Sequence, residues 1–258
     1  MVDSQTLSEY RNTESTHAAA LNRLFQQQDD ETGVFLNAAH PEVLQHLRAL
    51  QRPIILDKDM VLIDEKDQAI PGARELVNGL RTIGNVIIMT TGSGRTAIME
   101  NLKTEGLWHD DMVLMDLPTF EFMNTGSHFV IRQNHGIKEE IIQEWCRNEE
   151  LSEPQTVELK RQIPAYKRAA PLFNQPQDII MIDDSPQAVT HNPGIHGIRV
   201  HRQRHDRMPD NPALITVNTD SNCATVSVDR DDPSHCSQQY PKIIEYVRNF
   251  YTSPQGGA

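Results

Sequence analysis

Two pairs of carboxylates in this chain each follow an apolar run, and their residue types suggest metal-assisted chemistry. Asp57 and Asp59 come directly after an apolar run that ends at residue 56. Asp183 and Asp184 come directly after a second apolar run, far along the chain. Carboxylates held close together repel one another, and a bound divalent cation commonly offsets that repulsion. The two pairs therefore predict one acidic, metal-loaded site.

Short apolar runs alternate with amphipathic segments from residue 52 onward, and this pattern predicts the elements that position the acids. The predicted strands are 54–56, 86–89, 112–115, 179–182 and 198–200. The predicted helices are 71–83, 95–104, 137–147 and 243–251, and hairpins are predicted at 61–70 and 120–132. Such alternation indicates a parallel sheet covered on both faces. We therefore predict an α/β fold, a Rossmann-like three-layer sandwich with a mainly parallel sheet.

The same pass along the chain divides it into three parts. Residues 18–25 and 41–50 have helical spacing, and residues 1–50 are predicted to form a helical N-terminal extension. Residues 51–204 are predicted to form the catalytic core, with a polar insertion around 149–174. Regular patterning fades after residue 201, so we predict that 205–258 form a C-terminal extension packed on the core, with weak strand patterns and a final helix.

Composition excludes several classes of partner. The formal net charge of −12 argues against nucleic acid, since that binding depends on phosphate neutralisation. No apolar run approaches the roughly 20 residues of a membrane span, and we expect no secretory signal because the first residues lack a basic start and an apolar core. Three cysteines without CxxC spacing fit a reducing compartment. These features predict a cytoplasmic protein.

Three of the predicted strands end in polar residues suited to chemistry. In open α/β sheets, ligands bind beyond the carboxyl ends of the strands. The acids at 57 and 59 follow the first strand, Thr90 and Thr91 follow the second, and the acids at 183 and 184 follow the fourth. The sequence therefore brings these side chains to one edge of the sheet.

This combination of motifs resembles the haloacid dehalogenase superfamily of aspartate-nucleophile phosphohydrolases. The first motif of that family, DxDx followed by Thr or Val, is matched by DKDMV at residues 57–61. Its second motif, a Thr or Ser after a hydrophobic strand, is matched by Thr91. Its fourth motif, an acidic pair after a hydrophobic strand, is matched by DDSP at 183–186. The resemblance covers about residues 52–200.

The resemblance implies a role for each acid. Asp57 would attack phosphorus and form an aspartyl-phosphate. Asp59 would protonate the leaving oxygen and then activate water. Mg²⁺ would be bound by Asp57, the backbone carbonyl of Asp59 and the pair Asp183 and Asp184, and within that pair Asp184 is favoured as the direct ligand. Members of the superfamily that act on carbon–halogen bonds lack the second Asp, so its presence favours phosphate esters.

The remaining motif residues leave alternatives open. Thr91 would hydrogen-bond the transferring phosphoryl group; an ordinary helix N-cap is the alternative role, and Thr90 replaces it if the strand is one residue shorter. The third motif is a Lys that neutralises the nucleophile and the phosphate. Lys138, at the start of a predicted helix, resembles its usual placement, and Lys160 and Lys167 are alternatives.

Met60 departs from the family pattern, and the segment after it is short. The family has Gly or a small residue after the second Asp, because the chain turns tightly there, and Met60 is neither. Residues 61–70 suffice only for a hairpin, so no large cap fits between the first and second motifs. Open-sited members of the family tend to act on macromolecules, phosphoproteins included.

These observations predict a Mg²⁺-dependent phosphoric monoester hydrolase. Its predicted partner is a phosphorylated substrate, a phosphoprotein in particular, with phosphotyrosine as one target class. Hydrolysis of small phosphorylated metabolites is the first alternative, and a catalytically weak domain that acts as a binding module is the second. Some capless members are secreted bacterial effectors, so secretion without a classical signal peptide is the alternative to a cytoplasmic location.

Overall fold

The fold is described by a computed structural model for ten stretches of the chain. These are residues 16–27, 38, 40–90, 94–116, 169–184, 192, 194–203, 216–218, 223–229 and 233–252. Within them the helices are α1 (16–24), α2 (Pro41–Ala49), α3 (Ala73–Arg81), α4 (Arg95–Thr104) and α5 (Pro233–Thr252). The strands are β1 (Pro53–Leu56), β2 (Asn85–Met89), β3 (Val113–Met115), β4 (Ile180–Asp183), β5 (His196–Gln203), β6 (Thr216–Asn218) and β7 (Cys223–Asp229).

The described strands form one sheet in the order β3-β2-β1-β4-β5-β7-β6. Six of them run parallel, and β6 pairs antiparallel with β7 at one edge. The predicted α/β Rossmann-like fold is confirmed. The chain places β2 and β3 on one side of β1 and β4 and β5 on the other, so the strand order reverses between β1 and β4. Such a reversal is where doubly wound sheets bind their ligands.

Alternate side chains of the central strands supply two separate cores. Ile54 and Leu56 of β1 pack into the core that also contains side chains of α3, α4 and α5. Ile55, between them, packs into the opposite core with side chains of α1 and α2. All four residues of β1 are buried, as expected for a parallel strand covered on both faces. The result is three layers, helix, sheet and helix.

β3 is the edge strand of the described part of the sheet, and helix α1 contacts it. The Asn22 amide nitrogen donates to the Met112 carbonyl at 2.7 Å, and its oxygen accepts from the Leu114 N–H at 3.2 Å. The same oxygen accepts from the Arg95 guanidinium at 2.7 Å. One side chain thus takes the place of a neighbouring strand. The N-terminal segment is therefore bound into the sheet edge through specific hydrogen bonds as well as apolar packing.

We expect Asn22→Ala to lower the free energy of unfolding by about 2 kcal/mol, because it leaves partly buried backbone groups and the Arg95 guanidinium without this partner. Urea denaturation followed by circular dichroism measures the change. Asn78→Ala, on the exposed face of α3, is the matched control and should change stability little. Equal stabilities for the two variants would show that Asn22 does not anchor α1.

The segment beyond residue 204 contributes to the same sheet. β7 pairs with β5 in parallel from Gly197↔Cys223 to Gln203↔Asp229. α5 contacts the turn after β1 through Tyr240, whose hydroxyl donates to the Val61 carbonyl at 2.6 Å. Residues on both sides of the predicted boundary at 204 therefore share one sheet and one core.

Several predicted element boundaries were wrong for identifiable reasons. β5 has eight residues rather than three, because β7 pairs with seven of them, and α5 starts at Pro233 rather than at residue 243. α3 starts at Ala73 rather than at residue 71, because Gly72 adopts a left-handed φ of 88°. By contrast, the predicted short hairpin over 61–70 is present: an antiparallel bridge joins Ile63 and Ala69, and the Asp64 N–H donates to the Gln68 carbonyl at 2.9 Å.

Other predicted elements lie outside the described residues. These are the hairpin at 120–132, the helix at 137–147 and most of the insertion around 149–174. The part of that insertion that is described contains a short 3-10 turn, Ala170–Leu172. None of the helices in the described stretches is long and apolar enough to cross a membrane.

Candidate active site

The two acidic pairs meet at the reversal point between β1 and β4. Leu56 is paired with Ile182 in the parallel register, so Asp57 and Asp183 leave the sheet side by side at its carboxyl edge. The Asp57 N–H donates to the Ile182 carbonyl at 2.9 Å, which extends the pairing by one residue. Strand register, rather than loop conformation, therefore fixes where these carboxylates stand.

Three carboxylates form what we call the acid cluster: Asp57, Asp183 and Asp184. Each offers one oxygen, and these oxygens all lie within 4.8 Å of one another. The first two side chains are buried, at 4% and 0% exposure, and the third is half-buried. Buried like charges are costly, and a cation among them offsets the cost.

The acid cluster fits the ligand preference of Mg²⁺. An all-oxygen donor set suits this hard cation, which takes ligands at about 2.1 Å in an octahedron. Oxygens on such an octahedron stand about 3 Å apart at adjacent positions and about 4 Å apart at opposite ones. The spacing within the acid cluster allows either arrangement. Asp57, Asp183 and Asp184 could therefore hold the predicted ion, with water and substrate oxygens in the remaining positions.

Asp59 stands apart from the acid cluster. Its Oδ1 forms an ion pair with the Lys58 ammonium, and its Oδ2 accepts a hydrogen bond from the Thr90 hydroxyl at 3.0 Å. The Asp59 side chain is 49% exposed, whereas both partners are buried. The two acids of the first motif therefore occupy different environments, one among carboxylates and one between a cation and a hydroxyl.

Met60 adopts a left-handed backbone conformation with φ 66°. Its N–H donates to the Ile63 carbonyl at 2.8 Å, and the Lys58 carbonyl accepts from the amides of Leu62 and Ile63. The tight turn expected after the second Asp is present, and a non-glycine residue occupies its left-handed position. Such a conformation costs L-residues roughly 1–2 kcal/mol.

The strain at Met60 can be measured with a matched pair of variants. We expect Met60→Gly to be more stable than Met60→Ala by about 1 kcal/mol, because both lose the side chain and only alanine keeps the left-handed penalty. The same pair at Lys66, where φ is not positive, should show the opposite order. Urea denaturation of the four variants tests this, and the same order at both positions would contradict it.

The second motif is only partly visible. β2 ends at Met89, and the Thr90 N–H donates to the Met115 carbonyl at 3.0 Å, which continues the pairing with β3. Thr91 lies outside the described residues, so its predicted contact with a phosphoryl group stays a prediction. Thr90 is fully buried and reaches Asp59. The side chain that contacts the first motif is thus the alternative threonine.

The three candidates for the third motif, Lys138, Lys160 and Lys167, also lie outside the described residues. Sequence reasoning assigned no role to two cations that stand at this edge of the sheet. Lys58 pairs with Asp59, and the Arg199 Nε lies 3.5 Å from the Asp184 carbonyl oxygen. The position of Lys58 between two acids could have indicated its role from the sequence. Arg199 lies on β5 outside any motif, so no sequence signal marks it.

Comparisons with protein-family models, with curated proteins and with solved structures found no match for this chain.

Proposed function

We propose that this protein is a Mg²⁺-dependent phosphatase that hydrolyses phosphate monoesters through an aspartyl-phosphate on Asp57. The observation that carries the proposal is the acid cluster at the strand-order reversal, with Asp59 held separately two residues after Asp57. Asp57, in the acid cluster, can supply the nucleophile, and Asp59, outside it, can supply the proton donor. The motif order along the chain supports the same reading.

The reaction proceeds in two balanced steps. An Asp57 carboxylate oxygen bonds to phosphorus while the bond from phosphorus to the ester oxygen breaks, and Asp59, in its protonated form, gives its proton to the departing oxygen. Water then attacks phosphorus and passes a proton to Asp59, and the bond to Asp57 breaks to release inorganic phosphate. Mg²⁺ bound by the acid cluster would offset the negative charges of Asp57 and the phosphate.

A phosphoprotein is the proposed substrate. In the part of the chain that the structure describes, Asp59 is half exposed and Asp184 is half-buried, so the edge of the site reaches solvent. An exposed site admits a phosphorylated side chain on a large partner. Small phosphorylated metabolites are the alternative substrates.

A catalytically weak domain that binds phosphorylated partners is the second candidate function. The left-handed Met60 favours it, because strain directly after Asp59 can displace that carboxylate from its working position. The two candidates differ in turnover and share the binding of metal and phosphate.

Hydrolysis of p-nitrophenyl phosphate by the purified wild-type protein separates the two candidates. We expect turnover in Mg²⁺ that is lost in EDTA and restored by added Mg²⁺. A panel of phosphotyrosine, phosphoserine and sugar-phosphate substrates then ranks substrate classes. Phosphate binding without any turnover in Mg²⁺ would support the binding module against the phosphatase.

A further inference from the structure

Each carboxylate oxygen of Asp59 has its own partner, and the two partners come from different elements. We infer that Lys58 and Thr90 are positioning residues that together hold Asp59 in place to protonate the leaving oxygen. This inference rests on the proposed function. It assigns roles to a lysine that no motif explains and to a threonine that would otherwise be assigned to the phosphate.

Lys58 is a buried cation, and among the described residues its ion pair is with Asp59. Its side chain is only 9% exposed, and a buried ammonium is costly unless it is paired. Neighbouring side chains on a strand point to opposite faces, but β1 ends at Leu56, and the turn that follows brings Lys58 and Asp59 together. The turn that positions the acid therefore also positions its cation.

Thr90 approaches Asp59 from the adjacent strand. Its hydroxyl donates to Asp59 Oδ2 at 3.0 Å, and its own backbone is fixed by the bond to the Met115 carbonyl. A hydroxyl has one proton to donate, so Thr90 cannot donate to Asp59 and to a phosphoryl oxygen at the same time. The observed hydrogen bond therefore favours a positioning role for Thr90 over direct binding of the phosphate.

A carboxylate held at both oxygens cannot rotate freely. This fixed orientation matters most for proton donation to the leaving oxygen. Small misplacements of a catalytic group can cost large factors in rate. Proton donation matters most when the leaving oxygen is strongly basic, as in phenyl phosphate, and least when it is weakly basic, as in p-nitrophenyl phosphate. Loss of positioning should therefore depend on the leaving group.

The test compares kcat/KM for these two esters in Thr90→Val and Lys58→Met, with inorganic phosphate as a competitive inhibitor. We expect each variant to lose at least about tenfold on phenyl phosphate. On p-nitrophenyl phosphate we expect a loss below about threefold, and phosphate inhibition should be unchanged. Thr90→Ser, which keeps the hydroxyl, and Lys58→Arg, which keeps the charge, should recover most of the lost rate.

Thr104→Val and Lys66→Met are the matched controls, since both residues are exposed and belong to other elements. Equal losses on both esters, or weaker inhibition by phosphate, would overturn the inference and assign these side chains to phosphate binding or to folding. If Thr90→Val does not fold, as judged by circular dichroism, Lys58→Met decides alone. A wild-type protein that hydrolyses neither ester refutes the proposed function and this inference with it.

Discussion

Asp57→Asn is expected to reduce phosphate-ester hydrolysis by at least about a thousandfold, because the amide is a far poorer nucleophile than the carboxylate. The loss should appear in kcat for every substrate, whatever its leaving group. It should also persist at saturating Mg²⁺, because the missing function is bond formation to phosphorus and not only metal binding. Steady-state rates in Mg²⁺ at several concentrations measure this directly.

The control for this prediction is Asp110→Asn, which removes a carboxylate from an exposed position away from the acid cluster. It should retain wild-type rates. Thermal unfolding in EDTA checks that Asp57→Asn remains folded, since strand register places residue 57 and its backbone bond to Ile182 survives the substitution. A folded Asp57→Asn protein with more than a few per cent of wild-type activity would refute the assignment of Asp57 as nucleophile.

The second large effect concerns the metal. A ligand at a hundredfold excess over its Kd stabilises a folded protein by about 2.7 kcal/mol, and we expect saturating Mg²⁺ to stabilise the wild type on this scale. Asp184→Asn should weaken Mg²⁺ binding at least about tenfold and remove most of that stabilisation. In EDTA the same variant should be at least as stable as the wild type, because it relieves repulsion within the acid cluster.

Relative to the wild type, Asp184→Asn should be at least as stable in EDTA and less stable in Mg²⁺, and this contrast makes the second prediction specific. Asp110→Asn should match the wild type in both conditions. Thermal unfolding across a Mg²⁺ titration measures affinity and stability together. An Asp184→Asn protein that is destabilised in EDTA and still gains fully from Mg²⁺ would show that Asp184 supports the fold and does not bind the ion.

The core strands, and the edge of the sheet at which the acids stand, could both be predicted from the sequence. Buried parallel strands are short continuous apolar runs, and such runs mark β1, β2 and β4. The first polar residue after each run then falls at the carboxyl edge of the sheet. Because β1 and β4 turned out to be neighbours, Asp57 and Asp183 came together as the motifs suggested.

Features that depend on tertiary partners could not be predicted in this way. The length of β5 is set by its pairing with β7, and no local pattern in β5 records that partner. The role of Asn22 depends on an edge strand some ninety residues away. The hydrogen bond between Asp59 and Thr90 requires that β1 and β2 be adjacent and that the turn after β1 bend in one direction.

Met60 lies between these two cases. The sequence places Met60 after the second Asp, and the family resemblance predicted a tight turn there. Only the structure revealed the left-handed φ of Met60, which makes a residue other than glycine costly at this position. The residue type thus indicated where strain would lie, and the conformation gave its physical cause.

The most direct test of the central claim is chemical trapping of the phosphorylated enzyme. Asp59→Asn should still accept phosphate from p-nitrophenyl phosphate, which needs little proton donation, but should release it slowly because no base activates water. Borohydride reduction and peptide mapping by mass spectrometry then locate the acyl phosphate. The account predicts nearly one phosphate per chain, on Asp57, and none when Asp57→Asn is added. Phosphate found on another residue, or turnover by wild type and Asp59→Asn with no trapped phosphate, would contradict it.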